Sequence, residues 1–259
     1  MLFLLRQIRR KLLTGNKVTT YLLYAIGEII LVVVGILIAV SIDDYNNLLQ
    51  QRELETKYYR NLKKDLLADY AQLDTLATFV SNKSNAAKRI AIQAQHDSIG
   101  SLYALSDDFM TLLFVYEYLP NQNTYNEMIS SGNLSVLQNE EIKSELMSLN
   151  QIYNTFKYGQ DHVKHDYQKM INIFGKHVHF RRFYNMNASK IPHFVYDSAH
   201  VNQNRIILRS QASNLLSDLE YLNSIFNMEI SYDYFLTIIY YTRVEVEGIL
   251  KLIDLELEK

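Results

Sequence analysis

Cysteine and tryptophan are absent from this 259-residue chain, proline occurs twice and glycine eight times. Without cysteine there is no disulfide framework, no thiol nucleophile and no thiolate zinc site. So little glycine and proline excludes collagen-like and Gly/Ser-linker sequences and disfavours a turn-rich all-β chain. An excess of one charge is lacking too: 26 Lys+Arg stand against 28 Asp+Glu, a net charge of -2. A basic face of the kind that binds nucleic acid is therefore not expected. Nothing matches a P-loop, a Rossmann glycine pattern, a nucleophile elbow or HExxH. The expectation is a chain that is no enzyme and holds neither cofactor nor metal.

What is present is one long apolar run. Tyr21 to Ile42 reads YLLYAIGEIILVVVGILIAVSI, 22 residues with one charge. As a helix it spans ~33 Å, enough for a hydrocarbon core of ~30 Å. Tyr21 and Tyr24 at one end and Tyr45 at the other suit the two membrane interfaces. Residues 1–20 carry Arg6, Arg9, Arg10, Lys11 and Lys17 and no acid, whereas Asp43 and Asp44 follow the run. The positive-inside bias then keeps the N-terminus in the cytoplasm and exports residues 43–259. In a two-membrane bacterium those residues would lie in the periplasm. Ala39-Val40-Ser41 has small residues at a spacing that suits signal-peptide cleavage. The run exceeds the ~7–15 residues of an ordinary signal-peptide core, so retention as a signal anchor is expected.

Leu4, Leu5, Ile8 and Leu12 fall at helical spacing with arginines between them. This pattern fits a short interfacial helix on anionic head groups, and equally a charged segment that only sets topology. The basic start (Phe3, Arg6, Ile8, Arg9), Leu12-Leu13, a Lys and then YLLYAIGEIILVVVGILIA together resemble the bacterial domain of unknown function 6090. The likeness is dense over residues 3–47 and returns at Tyr125–Leu134 (YNEMISSGNL). Members usually leave the span through N-x-W-N, where this chain has Asp43-Asp44-Tyr45-Asn46, with Tyr in place of Trp. The resemblance implies a small single-pass envelope protein of the Gram-negative type and supplies no activity, substrate or site.

Glu28 does not suit a passive anchor. The run after it, Ile29 to Ile42, is 14 residues, ~21 Å, too short to span alone, so Glu28 must lie within the bilayer. An ionised carboxylate there costs about 3 kcal/mol, so protonation, pairing or burial against another helix is expected. At about 100° per residue, Val32, Gly35 and Ala39 fall within about 40° of Glu28, and Ala25 within about 60°. Gly35-x3-Ala39 is a small-xxx-small pair that permits close helix approach. The stripe Ala25, Glu28, Val32, Gly35, Ala39 is thus expected to meet another helix, from a second copy or a partner membrane protein. A proton-carrying role for Glu28 in an ion- or proton-coupled complex is the alternative.

The exported part is expected to be all-α, an elongated bundle of five or six helices. Neither Gly nor Pro occurs between Gly35 and Gly100. The stripe Tyr59, Leu62, Leu66, Tyr70, Leu73, Leu76/Ala77, Val80 predicts one helix that continues from the span. Residues 95–106 read as a turn, and Ser106-Asp107-Asp108 as the cap of a helix that Pro120 ends. Thr124 and Glu127 suggest a capping box for a short helix stopped by Gly132. Asn139-Glu140-Glu141 opens a helix to about Phe174, and helical spacing returns over 205–226 and 231–257. His177–Asn204, with Pro192, is the least regular stretch. Tyrosines on these stripes are expected at the core edge with wet hydroxyls. His162 and His165 beside Asp161 and Asp166 could be half a metal site, but solvated histidines are the expected reading. Similarly, His177, His179, Arg181 and Arg182 are expected to form a charged face instead of an anion site. The chain as a whole reads as an anchored interaction, scaffold or sensory module within an oligomer.

Overall fold

The computed structural model describes residues 17–96, 99–180, 182 and 198–259. Among the described residues there are helices and no strand, so the fold is all-α. In chain order they are α1 (Lys17–Ala94), α2 (Leu102–Leu113), α3 (Asn123–Ser131), a 3-10 turn (Asn133–Val136), α4 (Glu140–His177), α5 (Ser198–Leu216) and α6 (Leu219–Leu257). The backbone contacts divide the chain into two compact units, Met1–Lys57 and Tyr58–Lys259.

In the first unit, described from Lys17 onward, α1 carries the apolar run. Every Leu, Ile and Val from Leu22 to Ile42 is exposed. The Ser41 hydroxyl donates back to the Leu37 carbonyl (2.8 Å), so this polar group is satisfied within the helix itself.

In the second unit, three long helices enclose the core: α1 from Tyr58 onward, α4 and α6. Their polar contacts fix the directions. Lys63 meets Asp254 (2.6 Å), Arg243 meets Asp74 (3.2 Å) and Lys88 meets Asp233 (2.9 Å), so α6 runs antiparallel to α1. Asn139 donates to Glu256 (2.7 Å) and Ser231 to Asp166 (2.7 Å), so α6 is antiparallel to α4 as well. The buried seam of α6 steps by four and three from Tyr221 through Ile225, Met228, Tyr232, Phe235 and Ile239 to Ile253. That spacing is the one that keeps a helix against its neighbours along its length. The expected stripe of α1 is buried at Tyr59, Leu62, Leu66, Leu73, Leu76 and Val80, with Tyr70 half-buried. At Gly159 the helices pack closely: a Cβ there would stand 3.2 Å from the Phe235 ring, so that ring would have to give by a few tenths of an ångström.

Several boundaries differ from the sequence expectation. α2 starts at Leu102, because the Ser101 hydroxyl accepts the Ala104 N–H (3.2 Å); Ser106 is buried inside the helix. The same helix stops at Leu113, and residues 114–122 are extended or irregular well before Pro120. The last two helices break at Ser217–Asp218, not near residues 227–230. Asp218 is the cap there, accepting the Tyr221 N–H (3.0 Å). Tyr59, Tyr118, Tyr221 and Tyr232 are fully buried, and the Tyr221 and Tyr232 hydroxyls find no hydrogen-bond partner, so these tyrosines are core residues and not wet-edged ones. Gly132, at φ +72°, ends α3 as expected, in the left-handed region that glycine enters without strain.

Candidate functional site

The first candidate is the apolar length of α1. Its 18-residue window reaches a mean hydropathy of 2.8 with none of it buried, long and apolar enough to cross a membrane. Glu28, Val32, Gly35 and Ala39 are exposed on this helix, and Ala25 is half-buried. Helical geometry sets the five on one side. A Cβ built on Gly35 meets nothing within 4 Å, so nothing within the chain demands a glycine there. Tyr21, Tyr24 and Tyr45 are exposed at the two ends of the run. Lys17 opens the helix, whereas Arg6, Arg9, Arg10 and Lys11 lie outside the described residues.

A second candidate, missed at the level of sequence, is the polar cluster inside the other unit. Asp65 and Asp69 sit one turn apart on α1 and both reach the segment before α3. Asp65 accepts from the Thr124 N–H (2.9 Å), the Thr124 hydroxyl (2.6 Å) and the Asn121 amide (3.1 Å). Asp69 accepts from the Asn121 N–H (2.6 Å) and the Tyr153 hydroxyl (2.7 Å). Burial raises the Asp69 pKa, against the lowering effect of those two donors. Burial likewise pushes the Tyr153 phenol up. The expected Thr124–Glu127 capping box is therefore replaced: α3 is capped in trans by Asp65, and Thr124 is a donor within the first turn. The cavity beside the cluster holds about 20 Å³, room for about one water. Carboxylates already engaged by five donors, next to so small a space, act as a clamp on the chain.

Lys83 is the third candidate. Its side chain is buried between the Phe79 and Tyr232 rings, with Nζ 5.2 and 5.6 Å from their centroids. Nζ donates to the Leu112 carbonyl (3.0 Å), one of the free carbonyls at the end of α2. Burial pushes the Lys83 ammonium down to about 7. The adjoining cavity measures about 40 Å³, whereas small-molecule pockets run to ~300–1,000 Å³. Lys83 therefore acts as an end-cap for α2, its stem serving as packing.

His162 and His165 take surface roles: both are exposed and approach the same carboxylate, Asp166, at 3.3 and 3.7 Å. Among the described residues no group of three or more His, Cys, Asp or Glu could hold a metal ion. His177 Nε2 pairs with Asp218 Oδ2 (2.7 Å). Asp218 is held below the usual carboxylate range by the Tyr221 N–H first and by His177 second. Among the described residues the His179 ring has no such pair; its backbone N–H reaches Gln211 (3.4 Å). Arg181 lies outside the described residues.

A family model covers residues 28–212, that of the family of unknown function DUF6090. The chain belongs to this family. The DUF6090 match opens at Glu28, takes in the rest of the apolar run, and includes Asp65, Asp69, Lys83 and the Tyr125–Leu134 segment. It ends at Ala212 in α5, so α6, which closes the core, lies beyond it. No curated protein and no solved structure matches the chain.

Proposed function

We propose that this chain is a bacterial single-pass membrane protein whose helical unit serves protein interaction, scaffolding or sensing within an oligomer. In this reading the Tyr21–Ile42 segment is a signal anchor in the inner membrane. The N-terminus faces the cytoplasm, its arginines and lysines meet anionic head groups, and residues 43–259 face the periplasm. The observation that carries it is the exposure of the apolar run. Fourteen Leu, Ile and Val side chains between Leu22 and Ile42 are about half exposed. At ~1.5–3 kcal/mol for full burial of each, lipid would return on the order of 15 kcal/mol. The cost of about 3 kcal/mol for Glu28 is several-fold smaller. Orientation is supported by the five basic residues before the run and the two aspartates after it.

A second reading rests on Glu28, the acid inside the run: a subunit of an ion- or proton-coupled complex. The substitution Glu28→Gln separates the two. It keeps size and hydrogen bonding and removes titration, so an anchored scaffold retains expression, membrane insertion and complex mass. A proton pathway would lose its coupled activity while the complex stays assembled. A tag at Lys259, assayed by protease in spheroplasts, tests orientation. Digestion in intact spheroplasts is expected, and digestion only after lysis would reverse the assignment.

A further inference from the structure

α6 has a second seam. Opposite its buried face, Ile230, Tyr234, Thr237, Tyr241, Val244, Gly248, Lys251 and Leu255 are all exposed. They step by four and three without interruption, the a/d spacing of a two-stranded coiled coil. Together with Phe226, which flanks the seam one turn earlier, the large apolar residues of this face leave between 49% and 64% of themselves in solvent. The solvent faces of its two neighbours are different: on α1 beyond Tyr58 and on α4 the exposed positions are mainly charged, amide or hydroxyl residues, such as Lys64, Asn82, Gln151 and Lys157. A helix that carries an apolar stripe on its outer face as well as on its buried one calls for a second cover.

We infer that this outer face of α6 pairs with the same face of a second copy of the chain, parallel and in register. Three observations select that occupant. The first is area. Aromatic side chains bury ~150–250 Å² each and the aliphatic ones less, so the three aromatic and three aliphatic half-exposed side chains supply on the order of 600 Å² per copy, or about 1,200 Å² for the pair. Stable interfaces begin near ~1,200 Å². The second is Gly248. It sits at an a position in mid-helix, where glycine disfavours the helix, and a Cβ built on it would meet nothing within 4 Å. Nothing inside the chain calls for that glycine, whereas a second backbone crossing closely at that point does.

The third is charge. With Tyr234, Tyr241, Gly248 and Leu255 at a, the flanking g positions are Asp233, Tyr240, Glu247 and Asp254, and the e positions include Ile238, Glu245 and Leu252. In a parallel pair each g residue faces the e residue five positions on in the other copy. Asp233 then faces Ile238, Tyr240 faces Glu245 and Glu247 faces Leu252, so no like charges meet at these flanking contacts; the one like pair is Lys251 against its own copy at d. An antiparallel pair would set acidic g positions against one another. Lys251 is the one charge in the seam, and Glu247 of its own helix holds it at 3.0 Å. This pairing is independent of whether α1 crosses a membrane.

The absence of native cysteine makes the test direct. Single variants Tyr234→Cys, Tyr241→Cys and Leu255→Cys are made in the full chain, with Lys64→Cys on α1 and Lys157→Cys on α4 as exposed controls. Each is purified in mild detergent, oxidised gently and resolved without reductant. All three seam variants are expected to form disulfide dimers at several times the level of both controls, because facing a positions in a parallel pair lie within disulfide reach. Seam variants at the control level would overturn the inference, whether another protein, another segment of the chain or solvent covers the face. Cross-linking at Tyr241→Cys alone would overturn the parallel register. A companion variant, Tyr241→Glu, places two carboxylates face to face on the surface. It is expected to abolish the Tyr234→Cys cross-link with unchanged helicity, and retention of that cross-link would likewise contradict the pairing.

Discussion

Burial acts on Asp69 and Lys83 with opposite consequences for stability. The folded-state pKa of Asp69 is raised, so between the ordinary carboxyl value of 3.8 and that raised value the folded chain keeps a proton the unfolded chain has lost. Stability therefore falls as pH rises through that window. Lys83 is lowered from 10.5 to about 7, so across that interval the unfolded chain holds the extra proton and stability rises with pH. At about 1.4 kcal/mol per pH unit this second effect amounts to a few kcal/mol. Denaturation midpoints followed against pH should show both slopes in the native chain. Asp69→Asn keeps an acceptor for the Asn121 N–H and should remove the acid-side fall. Lys83→Met keeps the apolar stem against Phe79 and Tyr232 and should flatten the rise between about 7 and 10.5. A Lys83→Met chain that still gains stability over that interval would assign the slope to other groups. None of this was legible in the sequence, where Lys83 is one basic residue on an ordinary stripe and its burial depends on where α2 ends.

At the level of elements, local signals worked where the partner of a capping group lies close in sequence. Asn139 was readable as the start of α4, and its side chain does accept the Ile142 N–H (3.1 Å). Gly132 was readable as the end of α3 for the same reason. The start of α3 was not, because its capping oxygen belongs to Asp65, fifty-nine positions earlier. Likewise the extended backbone at Tyr118 is held by the Gln160 side chain, which accepts from the Tyr118 N–H (2.7 Å) and donates to its carbonyl (3.0 Å). Propensity alone favoured continuing α2 through this stretch. A half-buried amide group that satisfies both backbone polar atoms makes the extended form the stable one. Asp65→Ala removes three hydrogen bonds and should cost about 2 kcal/mol. Hydrogen exchange should accelerate over Asn123–Ser131 more than over the middle of α4. Uniform acceleration along the chain would show that Asp65 supports the whole unit instead of one helix end.

For the whole molecule, composition was the informative level. The apolar run, the basic residues before it and the all-α pattern could be read directly, since each depends on residue type and spacing. The arrangement of the core could not, because α6 runs antiparallel to both α1 and α4 through pairs such as Lys63–Asp254 and Asn139–Glu256, which no spacing rule connects. Nor was the second apolar seam of α6 separable from its buried one until the burial of each position was known; Tyr232 and Tyr234 look alike in the sequence and lie on opposite faces. The membrane reading is most directly tested by extraction of membranes from cells expressing the full chain with alkaline carbonate. A helix spanning through Tyr21–Ile42 keeps the chain in the pellet, and replacing Val33 and Val34 together with Arg moves it to the soluble fraction. Release of the native chain by carbonate alone would mean that the exposed apolar run is covered by protein and not by lipid.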